Sequence, residues 1–429
     1  MLKGSSLTRA QSLRQITAIS VILIVAVVGT VILTGSHAAT PYVSSSATSG
    51  TLASGATART CTGANSGSCV VFGGSTGGTG GIAYGSVLNS ACTPAWGSFG
   101  GGNFPPGCWQ LYSPTISPFN RPISANPTVM ANSAAMIAGL QTFAQDDPNN
   151  TPSQFIAAPQ GATSGFGTSG FPTYYSAATD PVFTISCNSA TLCPIKGQQL
   201  HIPQNALAAG NSDGHLTVID QSTGTEYDFW QAKTPLPQGG GTLVVSGAGK
   251  TSVDGDGLGS KAIAANYGSL AGVIRAQELQ AGQINHALVM VVHCDNATHV
   301  YPATADDQSC SSVGMSNASA LPMGARVQLN MTDSQIAALS SPAWQKTILR
   351  ALAHYGAYVS DTGGDWGFQI DGSQQYNSMG YPNPWLAFAK ANGWTLNSSD
   401  GTYLGNLTKA VDWYSNLRVL DTCSAQGSC

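Results

Sequence analysis

The chain reads as a mainly β protein: a β-sandwich or jelly-roll-like core with a few peripheral α-helices. Two observations lead there. Short β-prone runs recur between turns rich in glycine and proline, in a chain holding 51 Gly and 22 Pro. Helical periodicity is confined to a few segments. No internal repeat is visible, which leaves out solenoids and propellers.

Taken in order, residues 1–38 form a signal peptide or membrane anchor. Lys3, Arg9 and Arg14 precede an uncharged apolar run over 16–33, followed by Ser36 and Ala38 in a small-x-small pattern. Cleavage after Ala38 is expected. The competing reading is an uncleaved anchor, because the run is long enough to span a bilayer. Either way the remainder is expected outside the cytoplasm, secreted or held at the cell membrane. Residues 39–107 are a Ser/Gly/Thr-rich linker and a cysteine-containing N-terminal segment. Residues 108–429 form one β-rich domain, expected to be catalytic.

Within that domain, Asn132 or Ser133 can cap a helix carrying Met136, Ile137, Leu140 and Phe143. A short helix is expected over 275–280, ending at Gly282. Ser341-Pro342 opens the most regular helix, whose stripe of Trp344, Ile348, Leu349 and Leu352 stops at Gly356. Asn383-Pro384 repeats that start signal, and Gly393 ends it. Strands are expected over 181–186, 215–220, 225–231, 242–246, 286–293, 325–330, 356–360 and 366–370. The ten cysteines form near neighbours in sequence: Cys61 and Cys69, Cys92 and Cys108, Cys187 and Cys193, Cys294 and Cys310, Cys423 and Cys429. These local pairs are the expected disulfides, in keeping with export.

Charged residues make up only 8% of the chain, with a net charge of −4, which argues against nucleic acid as a partner. A neutral polar surface suits a polysaccharide. The chain is expected to be a monomer that meets a membrane only through its N-terminus.

The most informative stretch is 212–230. It reads as a hairpin with 221–224 as its loop, so that Asp220 pairs with Thr225. His215 then faces Trp230, Thr217 faces Asp228, and Ile219 faces Glu226. Leu216, Val218, Tyr227 and Phe229 share the other, apolar face. One face thus gathers an imidazole, two carboxylates and an indole. Two acids on one strand face, roughly 7 Å apart, suit a glycosidase pair. The plain alternative is a solvated outer face of an antiparallel sheet.

A second group is Arg275 and Glu278, followed by His286 at the mouth of an almost wholly apolar strand. The plain reading is a surface ion pair beside a satisfied core histidine. In a lyase, Arg275 would neutralise a uronic carboxylate while His286 abstracts a proton. Asp254 and Asp256 lie in a glycine-rich turn that resembles part of a calcium loop, yet the downstream bidentate acid is missing. A plain turn is favoured there, with structural calcium as the weaker reading and no other metal or cofactor. Asp361-Thr-Gly-Gly-Asp365-Trp366 has the same standing, with Trp366 as a second sugar platform. Ser246-Gly-Ala-Gly-Lys250-Thr251 looks like the end of a phosphate-binding loop but lacks its first glycine, so nucleotide binding is rejected. No GxSxG elbow and no HExxH is present.

The stretches Ser117-Pro-Phe-Asn120, Ser212-Asp-Gly-His215, Tyr227-Asp-Phe-Trp230, His286-Ala-Leu288, Tyr301-Pro-Ala303, Met323-Gly-Ala-Arg326 and Leu349-Arg-Ala-Leu-Ala-His-Tyr-Gly356 carry a resemblance. The chain resembles a group of uncharacterised exported proteins of actinobacteria and related soil bacteria. The likeness covers most of 108–423 and implies one exported domain of that extent. It implies no activity and no catalytic residue.

The expectation is an extracellular carbohydrate-active enzyme, foremost a glycoside hydrolase. Glu226 and Asp228 would be the acid and its partner, with His215 and His286 assisting. Trp230, Asp213, Arg275, Glu278 and Trp366 would bind substrate. The alternatives are a polysaccharide lyase working through His286, Arg275 and a tyrosine such as Tyr227 or Tyr301, and a non-catalytic glycan-binding protein of the cell surface.

Overall fold

The computed structural model describes residues 112–113, 115–143, 170–188, 191–220, 222–307, 309–364, 366–399, 401–408 and 410–422, with three further strands at Ala56–Thr60, Ser68–Phe72 and Phe155–Ala157. The expectations for residues 1–38, and for the pairs Cys61–Cys69, Cys92–Cys108 and Cys423–Cys429, lie outside the described residues. Among the described residues, no helix is long and apolar enough to cross a membrane.

Two compact units divide the chain at Gly80/Gly81. In the first, β1 (Ala56–Thr60) and β2 (Ser68–Phe72) pair antiparallel. The second holds, in chain order, α1 (Ser133–Phe143), β3 (Phe155–Ala157), β4 (Thr173–Ser176), β5 (Val182–Cys187), β6 (Gln199–His201), β7 (Leu216–Asp220), β8 (Thr225–Trp230), β9 (Gly241–Val245) and β10 (Gly247–Ser252). There follow α2 (Ala276–Ala281), β11 (Leu288–Val292), β12 (Arg326–Leu329), α3 (Asp333–Ala338), α4 (Ala343–His354) and β13 (Ala357–Thr362). The chain closes with β14 (Gly367–Phe368), α5 (Gln374–Ser378), α6 (Pro384–Ala391), β15 (Thr395–Leu396), β16 (Tyr403–Gly405), α7 (Trp413–Asn416) and β17 (Leu417–Leu420).

The fold is strand-rich with few helices, as expected. Its sheets are mixed: β10-β8-β7-β4, β14-β11-β13-β12-β17, β6-β5-β9 and β15-β16-β3. The pairs β4/β7, β11/β13 and β5/β9 run parallel, unlike the antiparallel order of a jelly roll. Local chemistry sets the helix ends. Asn383 caps α6 by accepting from Trp385 N and Leu386 N, with Pro384 behind it. Gly282 closes α2 in the left-handed region, at φ 72°. The disulfides Cys187–Cys193 and Cys294–Cys310 form as expected.

The β7–β8 register is the expected one: Asp220 opposes Thr225, Ile219 opposes Glu226, and Thr217 opposes Asp228. Leu216, Val218, Tyr227 and Phe229 pack with Phe183, Ile185, Leu243 and Val245 of β5 and β9. The opposite face is not solvated. It is buried against a second core that takes in Ile219, Leu270, Val273 and the β11 and β13 side chains. The glycines of β10 permit this: a Cβ at Gly249 would collide with Lys261 N and Ser260 Cα. The stretch that mimics a phosphate loop is therefore a sheet strand whose missing side chains let segment 257–272 lie on the hairpin.

Candidate functional site

The buried hairpin face holds two carboxylates with no exposure at all. Glu226 Oε2 accepts the Tyr112 hydroxyl at 2.5 Å, and Oε1 accepts Leu270 N at 3.1 Å. Asp228 Oδ1 accepts Thr217 Oγ1 at 2.9 Å. The hydroxyls of Ser260 and Ser269 sit near enough to temper the Asp228 charge, yet neither closes a hydrogen bond to Oδ2. Burial pushes the Glu226 carboxyl well up, and the Asp228 charge pushes it further. Burial raises Asp228 as well. Two adjacent like charges in a dry site oppose full ionisation, so the pair favours holding a proton. Tyr112 takes up a left-handed backbone, at φ 64°, to deliver its phenol.

A second chain of polar groups starts at α2. Arg275 N donates to Glu278 Oε2 at 3.0 Å, and the Arg275 guanidinium lies 3.8 Å from Oε1. His286 Nε2 meets that same Oε1 at 2.9 Å, and its Nδ1 meets the Ala287 carbonyl at 2.9 Å. Burial pushes the Glu278 carboxyl up. The His286 charge and hydrogen bond, joined by Arg275, outweigh that and hold it below the usual carboxylate range. Asp371 lies within the field of Arg275. It accepts from Gln375 and, at 3.0 Å, from the Tyr376 hydroxyl, and burial pushes it up to about 7.

The two chains meet at one small cavity. Tyr112, Asn120, Arg275 and His286 supply its polar wall, with Phe119 and Leu270 as the apolar part. Its volume of about 10 Å³ suffices for roughly one water molecule. A sugar ring is larger than this space.

Of the residues singled out in the sequence, Arg275 and His286 line this cavity. Glu226 stands behind it through Tyr112, Asp228 behind Glu226, and Glu278 between Arg275 and His286. His215 lies elsewhere, packed 4.7 Å from the Phe171 ring with Nδ1 unpartnered, and burial brings its pKa down to about 4. Asp213 is exposed in the loop before β7, and Trp230 is half-buried. Trp366 is 1% exposed and edge-on to Phe368 and Trp413, so it offers no ring to a ligand. Tyr227 faces the other core, and the cavity's tyrosine is Tyr112. Asp254 Oδ1 accepts Ser252 Oγ, and Asp256 Oδ1 accepts Leu258 N, so both carboxylates brace their own turn. Among the described residues, no three His, Cys, Asp or Glu side chains are grouped to hold a metal ion.

Tyr112, Asn120 and Asp371 were not anticipated. No local pattern marks a tyrosine whose partner is 114 residues away. The chain matches no family model, no curated protein and no solved structure.

Proposed function

We propose that the chain is an extracellular carbohydrate-active enzyme, and that its chemistry is β-elimination on an acidic polysaccharide. One observation carries this reading: Tyr112, Asn120, Arg275 and His286 converge on one cavity. Elimination from a uronic residue needs a cation and an amide on the carboxylate, a base for the C5 proton and an acid for the leaving oxygen. Arg275 suits the carboxylate, with Asn120 joining it once its Nδ2 leaves the Tyr112 and Ser113 carbonyls, to which it donates at 3.2 and 3.4 Å. His286 suits the base once its Nδ1 has given up the proton it directs at the Ala287 carbonyl and turns to the substrate, with Nε2–H still donated to Glu278; such bonds commonly rearrange when substrate binds. Glu278 orients that ring. The C5–H bond breaks to His286, the C4–C5 double bond forms, and the C4–O bond breaks. The departing oxygen takes the Tyr112 proton, which the Glu226–Asp228 pair replaces.

A hydrolase is the second reading, favoured by the raised Glu226 carboxyl, as a glycosidic acid requires. Its full burial keeps it from the cavity wall, where Tyr112 stands instead. The two disulfides suit an exported protein. The packing of β10-β8-β7-β4 and β6-β5-β9 on one shared core supports reading those sheets as the sandwich part of the fold.

The test is turnover of a polysaccharide panel, read by ultraviolet absorbance and reducing ends together. Absorbance that falls about 100-fold or more in His286→Ala and Arg275→Ala supports the lyase. Reducing ends without absorbance, lost in Glu226→Gln, replace it with the hydrolase. Binding without turnover would leave a glycan-binding protein.

A further inference from the structure

A pocket of about 270 Å³ opens on the surface beside the cavity, just under the usual range for small-ligand sites, which begins near ~300 Å³. Its wall is formed by 282–285, by Pro122 and by the outer face of α4 with Thr347, Arg350, His354 and Tyr355. The same two segments build both spaces. Asn120 faces the cavity and Pro122 the pocket; His286 faces the cavity and Asn285 the pocket. The two spaces therefore lie on either side of the same two segments.

Arg350 distinguishes the pocket. Arg121, Arg275, Arg326 and Arg418 are each engaged with a carbonyl, a carboxylate or an amide oxygen. Among the described residues, the half-buried Arg350 guanidinium has no hydrogen-bond or ion-pair partner. An unpaired guanidinium in a concave wall is a bidentate receptor for a carboxylate. Around it stand the Gln283 and Asn285 amides, suited to hydroxyls, and the half-buried Tyr355 ring, suited to a sugar face. His354, also in the wall, has its Nε2 2.9 Å from Asp333 Oδ1.

We infer that this pocket is a second sugar subsite, in which Arg350 binds the carboxylate of a neighbouring uronic residue of the same polymer. This rests on the lyase reading for the polymer's identity, but the two can be tested apart. Binding of uronate oligomers (galacturonate, glucuronate and mannuronate) and of their methyl esters would be measured by calorimetry on the full chain carrying His286→Ala. The ester removes only the charge. The acid is expected to bind about 10- to 100-fold more tightly than the ester. Arg350→Gln is expected to erase that preference, with Arg350→Lys retaining part of it. Thermal melts of each variant check folding.

Acid binding unchanged in Arg350→Gln would overturn the subsite and leave the lyase reading standing if the wild-type chain turns the polymer over. Arg350-dependent binding without turnover would do the reverse. No binding of any uronate, or equal binding of a peptide carboxylate, would overturn the assignment to an acidic sugar.

Discussion

The fold pushes the Glu226 carboxyl toward its protonated form. Burial removes the water that would solvate its charge, and the Asp228 charge next to it raises the cost again. A glutamine has the shape of the protonated acid: its oxygen can accept from Leu270 N, and its NH2 can donate to the Tyr112 oxygen once that hydroxyl, which donates to Oε2, turns away. Glu226→Gln should therefore cost less than about 1.5 kcal/mol of stability. Glu226→Ala should cost about 2–4 kcal/mol, because it strands the Tyr112 hydroxyl and the Leu270 N–H beside a cavity. Urea denaturation at neutral pH separates the two, and equal losses would mean that Glu226 is ionised. At this scale the sequence was partly legible. Strand alternation put Thr217, Glu226 and Asp228 on one face, and helical spacing put Glu278 beside Arg275. Alternation could not say that the face is covered. The cover comes from segments distant in sequence, and its decisive contact, Tyr112 on Glu226 across 114 residues, has no local signature.

Elements were legible where they carry their own chemistry. The hairpin register followed from one loop assignment, and α4 and α6 followed from their Pro starts and Gly stops. The helix α3 also had a signature, since Thr332 and Gln335 form a capping box, but its single buried residue, Ile336, leaves no apolar stripe to follow. The strand β10 was missed for the opposite reason. Gly-Ala-Gly-Lys-Thr has low strand propensity, and only pairing with β8 and the pressure of segment 257–272 make it one. That account makes a prediction. Gly249→Ala places a methyl group against the Lys261 and Ser260 backbone, where no flexible side chain can yield. It should destabilise by about 1–3 kcal/mol and lower the Tm. Gly239→Ala meets nothing within 4 Å and is strained only by its backbone at φ 76°, so it should cost clearly less. Equal losses would show that backbone conformation, not the close approach, governs β10.

The whole molecule carries an unusual balance of buried acid. Stability changes with pH according to the difference in protons bound by the unfolded and folded states. Asp371 is raised from 3.8 to about 7, so between those values the folded state holds a proton that the unfolded state has lost. Its contribution is fully present below the unfolded value and is lost as pH rises toward 7. At about 1.4 kcal/mol per pKa unit this is a few kcal/mol. The Glu226–Asp228 pair acts in the same direction. Asp361 is also raised to about 7 by burial, but partial exposure lets solvent screen it, so its share is smaller. His215 opposes them. It is held neutral down to about 4, so its contribution is present above the ordinary histidine value and is lost as pH falls from about 6.5 toward 4. Glu278 opposes them only in stronger acid, because its lowered carboxyl loses its stabilising charge as pH falls through that depressed value. One His against several raised carboxyls leaves the sum in favour of mild acid. Chemical denaturation should therefore give a stability that falls from about pH 5 to pH 7. Asp371→Asn should flatten that slope, because the amide binds no proton in either state. A stability that rises over this range, or a slope unchanged in Asp371→Asn, would mean that Asp371 is ionised in the folded protein. The charge of Arg275 would then be shared between Asp371 and Glu278, leaving less of it for a substrate carboxylate.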